Sequence, residues 1–193
     1  MSNLIPATLA ILTMLAAGCA SGPSLPLQGP IPNQGHPALD VTSADFANDG
    51  PLGQASAFDQ FGCTGTNTRP HLAWSTVPPG TKSVAIIVHD PDAPTGVGFF
   101  HWVAINIPPT VTSLKDALPD GVSELHTDYG GPGYGGPCPP SGRNHRYVFS
   151  VFALDTVLEL PAGATGALTR FVIANHTLAT GRLVGTYQRP SAQ

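Results

Sequence analysis

Charge is scarce in this sequence. Lys and Arg number 8 and Asp and Glu 12 among 193 residues, so 10% of the chain is charged and the formal net charge is −4. No basic run or patch occurs, which argues against a nucleic-acid partner. Cysteine is rarer still, with three, and no two of them have the spacing of a zinc site. H-x-x-x-H and H-E-x-x-H are absent, so the usual histidine signatures of a metalloenzyme are missing. G-x-S-x-G is absent too, which removes the common nucleophile elbow of hydrolases. No motif recurs at a fixed period, which excludes solenoids and propellers.

Glycine and proline, by contrast, are abundant, at 22 and 21 residues, beside a 41% apolar content. That balance favours short strands joined by many turns over a helical bundle, and the length suits one domain.

The N-terminus carries its own signal. "LIPATLAILTMLAAGCASG" is an apolar stretch ending in small residues, as export signals do, and it is too short and too broken at its end to span a bilayer well. "LAAGC" resembles a bacterial lipobox, which implies cleavage of residues 1–18 and a lipid-modified Cys19. The preceding "MSN" has no Lys or Arg, a departure from that pattern. The alternative is an ordinary signal peptide in which Cys19 has no role. The expected location is the extracytoplasmic face of a bacterial cell membrane, held by a lipid anchor. Residues 19–37 include five prolines and read as an extended tether that spans roughly 50 Å. Residues 38–193 form the domain.

With Cys19 assigned to lipid, Cys63 and Cys138 remain as an even pair in an exported chain, and a disulfide between them is expected. Two buried free thiols are the alternative, and geometry decides.

Within the domain, 38–46, 69–74, 83–90, 101–107 and 147–154 read as strands. "SVAIIVHD" is β-branched and almost continuously apolar, the pattern of a central strand. The final stretch reads as helical, with Leu168, Phe171, Val172, Ala179 and Leu183 forming an apolar stripe near 3.6-residue spacing. Many strands with one late helix imply a mainly β, sandwich-like domain with helical trimming.

"HDPDAPTGVGFFHW" follows the central strand and concentrates ionisable groups. Pro91 and Pro94 enforce a rigid, extended exit from the strand. Asp92 is expected to pin that turn, while Asp90, at the strand end, faces a pocket. His101 opens the next strand. His145 and Tyr147 lie two apart and so share a face. Asp90, His101, His145 and Tyr147 are therefore expected to converge at one end of a sheet. Three chemistries compete for such a cluster. Two His and an Asp suit a divalent metal, and Ser or Thr nearby suits nucleophilic catalysis. The third is an anion pocket, in which imidazole N–H and phenol O–H groups donate to phosphate oxygens, the imidazoles more strongly when protonated.

These residues also carry a resemblance. "FGCTGTNTRPHLAW", "DPDAPTGVGFFHWVAINIP", "YGGPGYGGPCPPSGRNHRYVFSVFALD" and "LVGTYQR" resemble the phosphatidylethanolamine-binding protein family, in its bacterial Raf-kinase-inhibitor-like branch, over roughly residues 38 to 190. The resemblance implies an antiparallel β-sandwich with a Greek-key element and peripheral helices, including a C-terminal one. It implies a small pocket for phosphate-type anions or phospholipid head groups; with the catalytic and metal motifs missing, no catalysis, cofactor or metal is expected. The family's pocket residues carry over to Asp90, His101, His145 and Tyr147, with Pro139 on the wall and Tyr187 as the C-terminal pocket tyrosine. Phe99 and Phe100 stand where relatives carry two tryptophans, and Arg69 precedes Pro70 where they carry serine. The competing function is a protein-interaction module that inhibits a protease or kinase, its partner unspecified.

Overall fold

The computed structural model describes residues 35–161 and 163–191. The signal segment 1–18, Cys19 and nearly all of the tether lie outside the described residues. The strands are β1 (Val41–Thr42), β2 (Gly50–Pro51), β3 (Leu72–Trp74), β4 (Ser83–Asp90), β5 (Phe99–Ile107), β6 (Ser113–Leu114), β7 (Ser123–Glu124), β8 (Asn144–Leu154) and β9 (Thr177–Gln188), with one helix, α1 (Gly166–Ile173), before β9. They form a six-stranded sheet in the order β2-β9-β8-β4-β5-β7 and a three-stranded sheet in the order β1-β3-β6. All pairings are antiparallel except β2 with β9. The fold is mainly β.

Strand β4 explains the arrangement. All eight of its residues are buried. Val84, Ile86 and Val88 pack with Trp74, Leu72 and Leu114 of the small sheet, while Ala85 and Ile87 pack on the other face with Leu158, Ala164 and Ile173. The central strand is covered on both sides, so its sequence is continuously apolar instead of alternating.

Two register shifts separate β4 from β5. At the first, Val84 pairs Ile107 and Ile86 pairs Ala104; at the second, Val88 pairs Trp102 and His89 pairs Phe100. Each leaves an extra residue on β5. One such stretch contains Asn106, at φ 62°, whose side chain donates to Leu158 O (2.9 Å) and accepts from Leu158 N (2.8 Å). The other extra residue is His101.

The late helix is shorter than the periodicity predicts. Thr165 caps it through its hydroxyl, and it ends at Ile173, where Thr177 Oγ1 donates to Ile173 O at 2.7 Å. Its buried residues are Gly166, Thr169 and Ile173, whereas Leu168 and Phe171 are exposed. Ala179 and Leu183 sit on β9, which pairs with β8 along its whole length. Twelve residues of strand pairing outweigh a weak helical periodicity in a Thr- and Gly-containing segment. Gly181 fits this strand because a Cβ there would lie 2.1 Å from Leu39 O. At the chain's start, only Val41–Thr42 of the expected 38–46 strand forms.

Candidate functional site

Asp90 ends β4 and divides its two carboxylate oxygens between two tasks. Oδ1 accepts from the N–H groups of Asp92 (2.8 Å) and Ala93 (3.1 Å), which closes the turn that Pro91 and Pro94 stiffen. Oδ2 accepts from His145 Nδ1 at 2.7 Å. Both residues are buried. A carboxylate accepts only, so Nδ1 carries its proton and Nε2 is the nitrogen left for a ligand.

Asp92 holds the turn from outside. It accepts from Arg146 N (2.9 Å), Nε (2.9 Å) and Nη2 (2.6 Å). The Arg146 side-chain hydrogen bonds hold its carboxyl below the usual carboxylate range. The turn is therefore clamped twice to the start of β8, at His145 through Asp90 and at Arg146 through Asp92.

His101 reaches the same place by an irregularity. Strict alternation would give it the face of Val103 and Ile105, which pack toward α1. As the bulged residue it turns instead toward Tyr147, ring to ring at 5.0 Å, edge to face; bulges commonly re-aim a side chain in this way. Its Nδ1 lies 2.8 Å from Gly135 O, and Gly135 N donates back to His101 O at 2.8 Å. A carbonyl cannot donate, so Nδ1 is protonated and the neutral ring's Nε2 is an acceptor. Burial pushes the His101 pKa down from 6.5 to about 4. His101 is thus neutral at pH 7, and the expectation of a protonated donor does not hold for it.

Tyr147 is buried, and burial raises its phenol pKa. Its hydroxyl has no hydrogen-bond partner among the described residues. Such a group is costly unless something binds it.

Asp90, His101, His145, Tyr147 and Pro139 line one pocket of about 300 Å³. Tyr187 is not among its lining residues. It pairs with His145 across β8 and β9, but β9 lies on the far side of β8 from β4 and β5. Its hydroxyl donates to Gln54 Oε1 at 2.9 Å and lines a neighbouring cavity. The wall that carries Pro139 is tied by the Cys63–Cys138 disulfide, with Cα atoms 5.8 Å apart.

Several pocket residues carried no signal in the sequence. Tyr129 stacks on Phe58 at 3.9 Å and meets Phe99 edge-on at 4.8 Å, and the 72% exposed Phe61 stands at the rim. Asp128 also lines the pocket, and its Oδ2 accepts from Phe100 N at 2.7 Å. Asn67, at φ 52°, holds the loop beneath His101 by donating to Tyr134 O (2.9 Å) and accepting from Gly136 N (2.7 Å). All of these lie in loops, where no periodicity announces direction.

Arg69 proves to be structural: it donates to the carbonyls of Lys115 and Asp116, lies 3.6 Å from Glu124 and covers the Trp102 ring at 4.8 Å. Phe99 lines the pocket, and Phe100 packs on the opposite face. Among the described residues, no cluster of three or more His, Cys, Asp or Glu is placed to hold a metal. No helix among them is long and apolar enough to cross a membrane.

Residues 42–188 match the family described as phosphatidylethanolamine-binding protein. The UPF0098 protein YbhB of Escherichia coli is 40% identical over 157 residues, covering 77% of this chain and 99% of its own. LppC of Mycobacterium tuberculosis, provisionally named a lipoprotein, is 38% identical over 152 residues, covering 78% of this chain and 72% of its own. The crystal structure of E. coli YbcL, described as a new member of the mammalian PEBP family, superposes with a TM-score of 0.75 at 41% identity, covering 78% of this chain and 98% of that one.

Proposed function

Because the chain belongs to the phosphatidylethanolamine-binding protein family, we propose that this pocket binds the phosphate of a zwitterionic head group, and does so without catalysis. The observation that carries the reading is the Tyr147 hydroxyl, buried without a partner beside the Asp90–His145 pair. A phosphate oxygen supplies the missing acceptor. Asp90 holds the Nδ1–H of His145 from behind, which fixes the ring and turns its Nε2 toward the ligand. His101, neutral, accepts a hydrogen bond from a protonated phosphate oxygen or another ligand hydroxyl.

The wall explains the preference for a zwitterion. No Lys or Arg lines the pocket, and Asp128 adds an exposed carboxylate. A bare dianion is disfavoured there, whereas an ammonium group finds Asp128 and the aromatic faces of Tyr129 and Phe61. A reading without covalent catalysis is supported by the pocket's thiol and aliphatic hydroxyl: Cys138 is in the disulfide, and the Thr95 hydroxyl donates to Gly98 O. Location belongs to the same proposal. The lipobox-like sequence ending at Cys19, together with the name of the LppC relative, supports a lipid-anchored extracytoplasmic protein.

Calorimetric titration with phosphoethanolamine tests the site. His145→Gln should weaken binding about 10- to 100-fold, the worth of a charge-assisted hydrogen bond. Unchanged affinity in His145→Gln, with the fold intact by circular dichroism, would refute the reading.

A further inference from the structure

The cavity next to this pocket has the opposite chemistry. It measures about 260 Å³, and Gln54, Gly62, Thr64, Tyr187 and Arg189 are among its lining residues. No Asp or Glu lines it, whereas the first pocket has two aspartates and no Lys or Arg. The disulfide forms the septum: Cys138 lines the first pocket and Cys63 the second.

Arg189 follows directly after β9. Its Nη2 donates to Gly62 O at 2.7 Å, and its Nη1 lies 3.9 Å from Cys138 Sγ. Gly62 permits this approach, since its φ is +73° and a Cβ there would lie 2.9 Å from Nη2. A guanidinium has five N–H donors, so the Gly62 carbonyl orients the group and leaves most of its capacity unused. None of the ion pairs among the described residues involves Arg189.

A directed relay also lines the cavity. The Tyr187 hydroxyl donates to Gln54 Oε1 at 2.9 Å, and Gln54 Nε2 donates to Thr64 Oγ1 at 3.4 Å. Thr64 therefore serves as an acceptor within the protein and keeps its own proton for another group. A half-satisfied guanidinium and a hydroxyl donor line one small cavity free of carboxylates.

We propose that this cavity is a second oxyanion site, which takes inorganic phosphate or a phosphate monoester on Arg189 and Thr64. The ionised oxygens of phosphate accept, matching the donors present, and a planar guanidinium engages two of them at once. This goes beyond the reading of the first pocket and does not depend on it.

The test is titration of the oxidised full chain with inorganic phosphate, phosphoethanolamine and a short-chain phosphatidic acid, for the wild type, Arg189→Gln, Thr64→Val and His145→Gln. Arg189→Gln should weaken inorganic phosphate about 10- to 100-fold at this site, and Thr64→Val should weaken it several-fold. His145→Gln should leave this binding intact and affect only the first pocket, so the two readings fail separately. Tighter binding of phosphatidic acid than of inorganic phosphate, lost in Arg189→Gln, identifies a lipid source; the reverse order, with the same loss, identifies the free ion. If Arg189→Gln does not fold, Thr64→Val, at an exposed position, carries the test. Phosphate affinity unchanged in every folded variant at Arg189 or Thr64 would overturn the proposal.

Discussion

His101 should make the protein sensitive to acid, because burial disfavours its charged form. Its imidazole is buried against Tyr147, Tyr129 and Phe99, and burial lowers its pKa from 6.5 to about 4. In the unfolded chain the ring takes a proton near pH 6.5; in the folded protein it resists until about pH 4. Between those values the unfolded state binds more protons, so stability rises with pH at about 1.4 kcal/mol per unit. The contribution is complete above pH 6.5 and is lost as pH falls toward 4, for a total of about 3 kcal/mol. His89, also lowered by burial, and the carboxylates add their own pH dependence, so the informative quantity is a difference. Urea unfolding should be measured from pH 4 to 7.5 for the wild type and for His101→Gln, with the disulfide intact. Glutamine keeps an N–H for Gly135 O but does not titrate. The two stability curves should diverge above pH 4 by about 3 kcal/mol and then run parallel above pH 6.5. Curves parallel throughout would show that His101 is not held neutral by burial.

Tyr147→Phe should leave thermal stability unchanged or slightly higher, because the deleted hydroxyl has no protein partner, yet weaken phosphoethanolamine about 3- to 10-fold in calorimetry. A clear loss of stability would mean that the hydroxyl is satisfied in the free protein. Replacing Cys63 and Cys138 together by alanine opens a link across 75 residues and should cost about 4 kcal/mol in urea unfolding; a cost near zero would remove the bridge from the stability account. Cys19→Ala should abolish fatty-acid labelling and release the protein from membranes, since each buried methylene anchors by about 0.8 kcal/mol. A wild type without label would refute the anchor.

What the sequence determined by itself was whatever depends on periods and on backbone stiffness. The continuous apolarity of 83–90 marked the central strand, and the structure returns Ser83–Asp90. The two-residue spacing of His145 and Tyr147 put both on one face, and the prolines after Asp90 announced a rigid exit. Local chemistry and the stretches quoted above were enough for the family and the mainly β fold. The tertiary structure decided the rest. His101 joins the pocket only because a bulge between β4 and β5 turns it across the sheet, and one extra residue has no signature in alternation. Tyr187 departs from the expected pocket because the strand order, set by long-range pairing, puts β9 one strand too far away. The same pairing made a strand from residue 177 onward, where local spacing had suggested that a helix ran on to Leu183. Tyr129, Asp128 and Phe61 enter from loops whose directions are fixed by distant contacts, such as the hold of Asn67 on Gly136 and the bond from Gly135 to His101. Side chains whose aim depends on a partner far along the chain cannot be aimed from their neighbours alone.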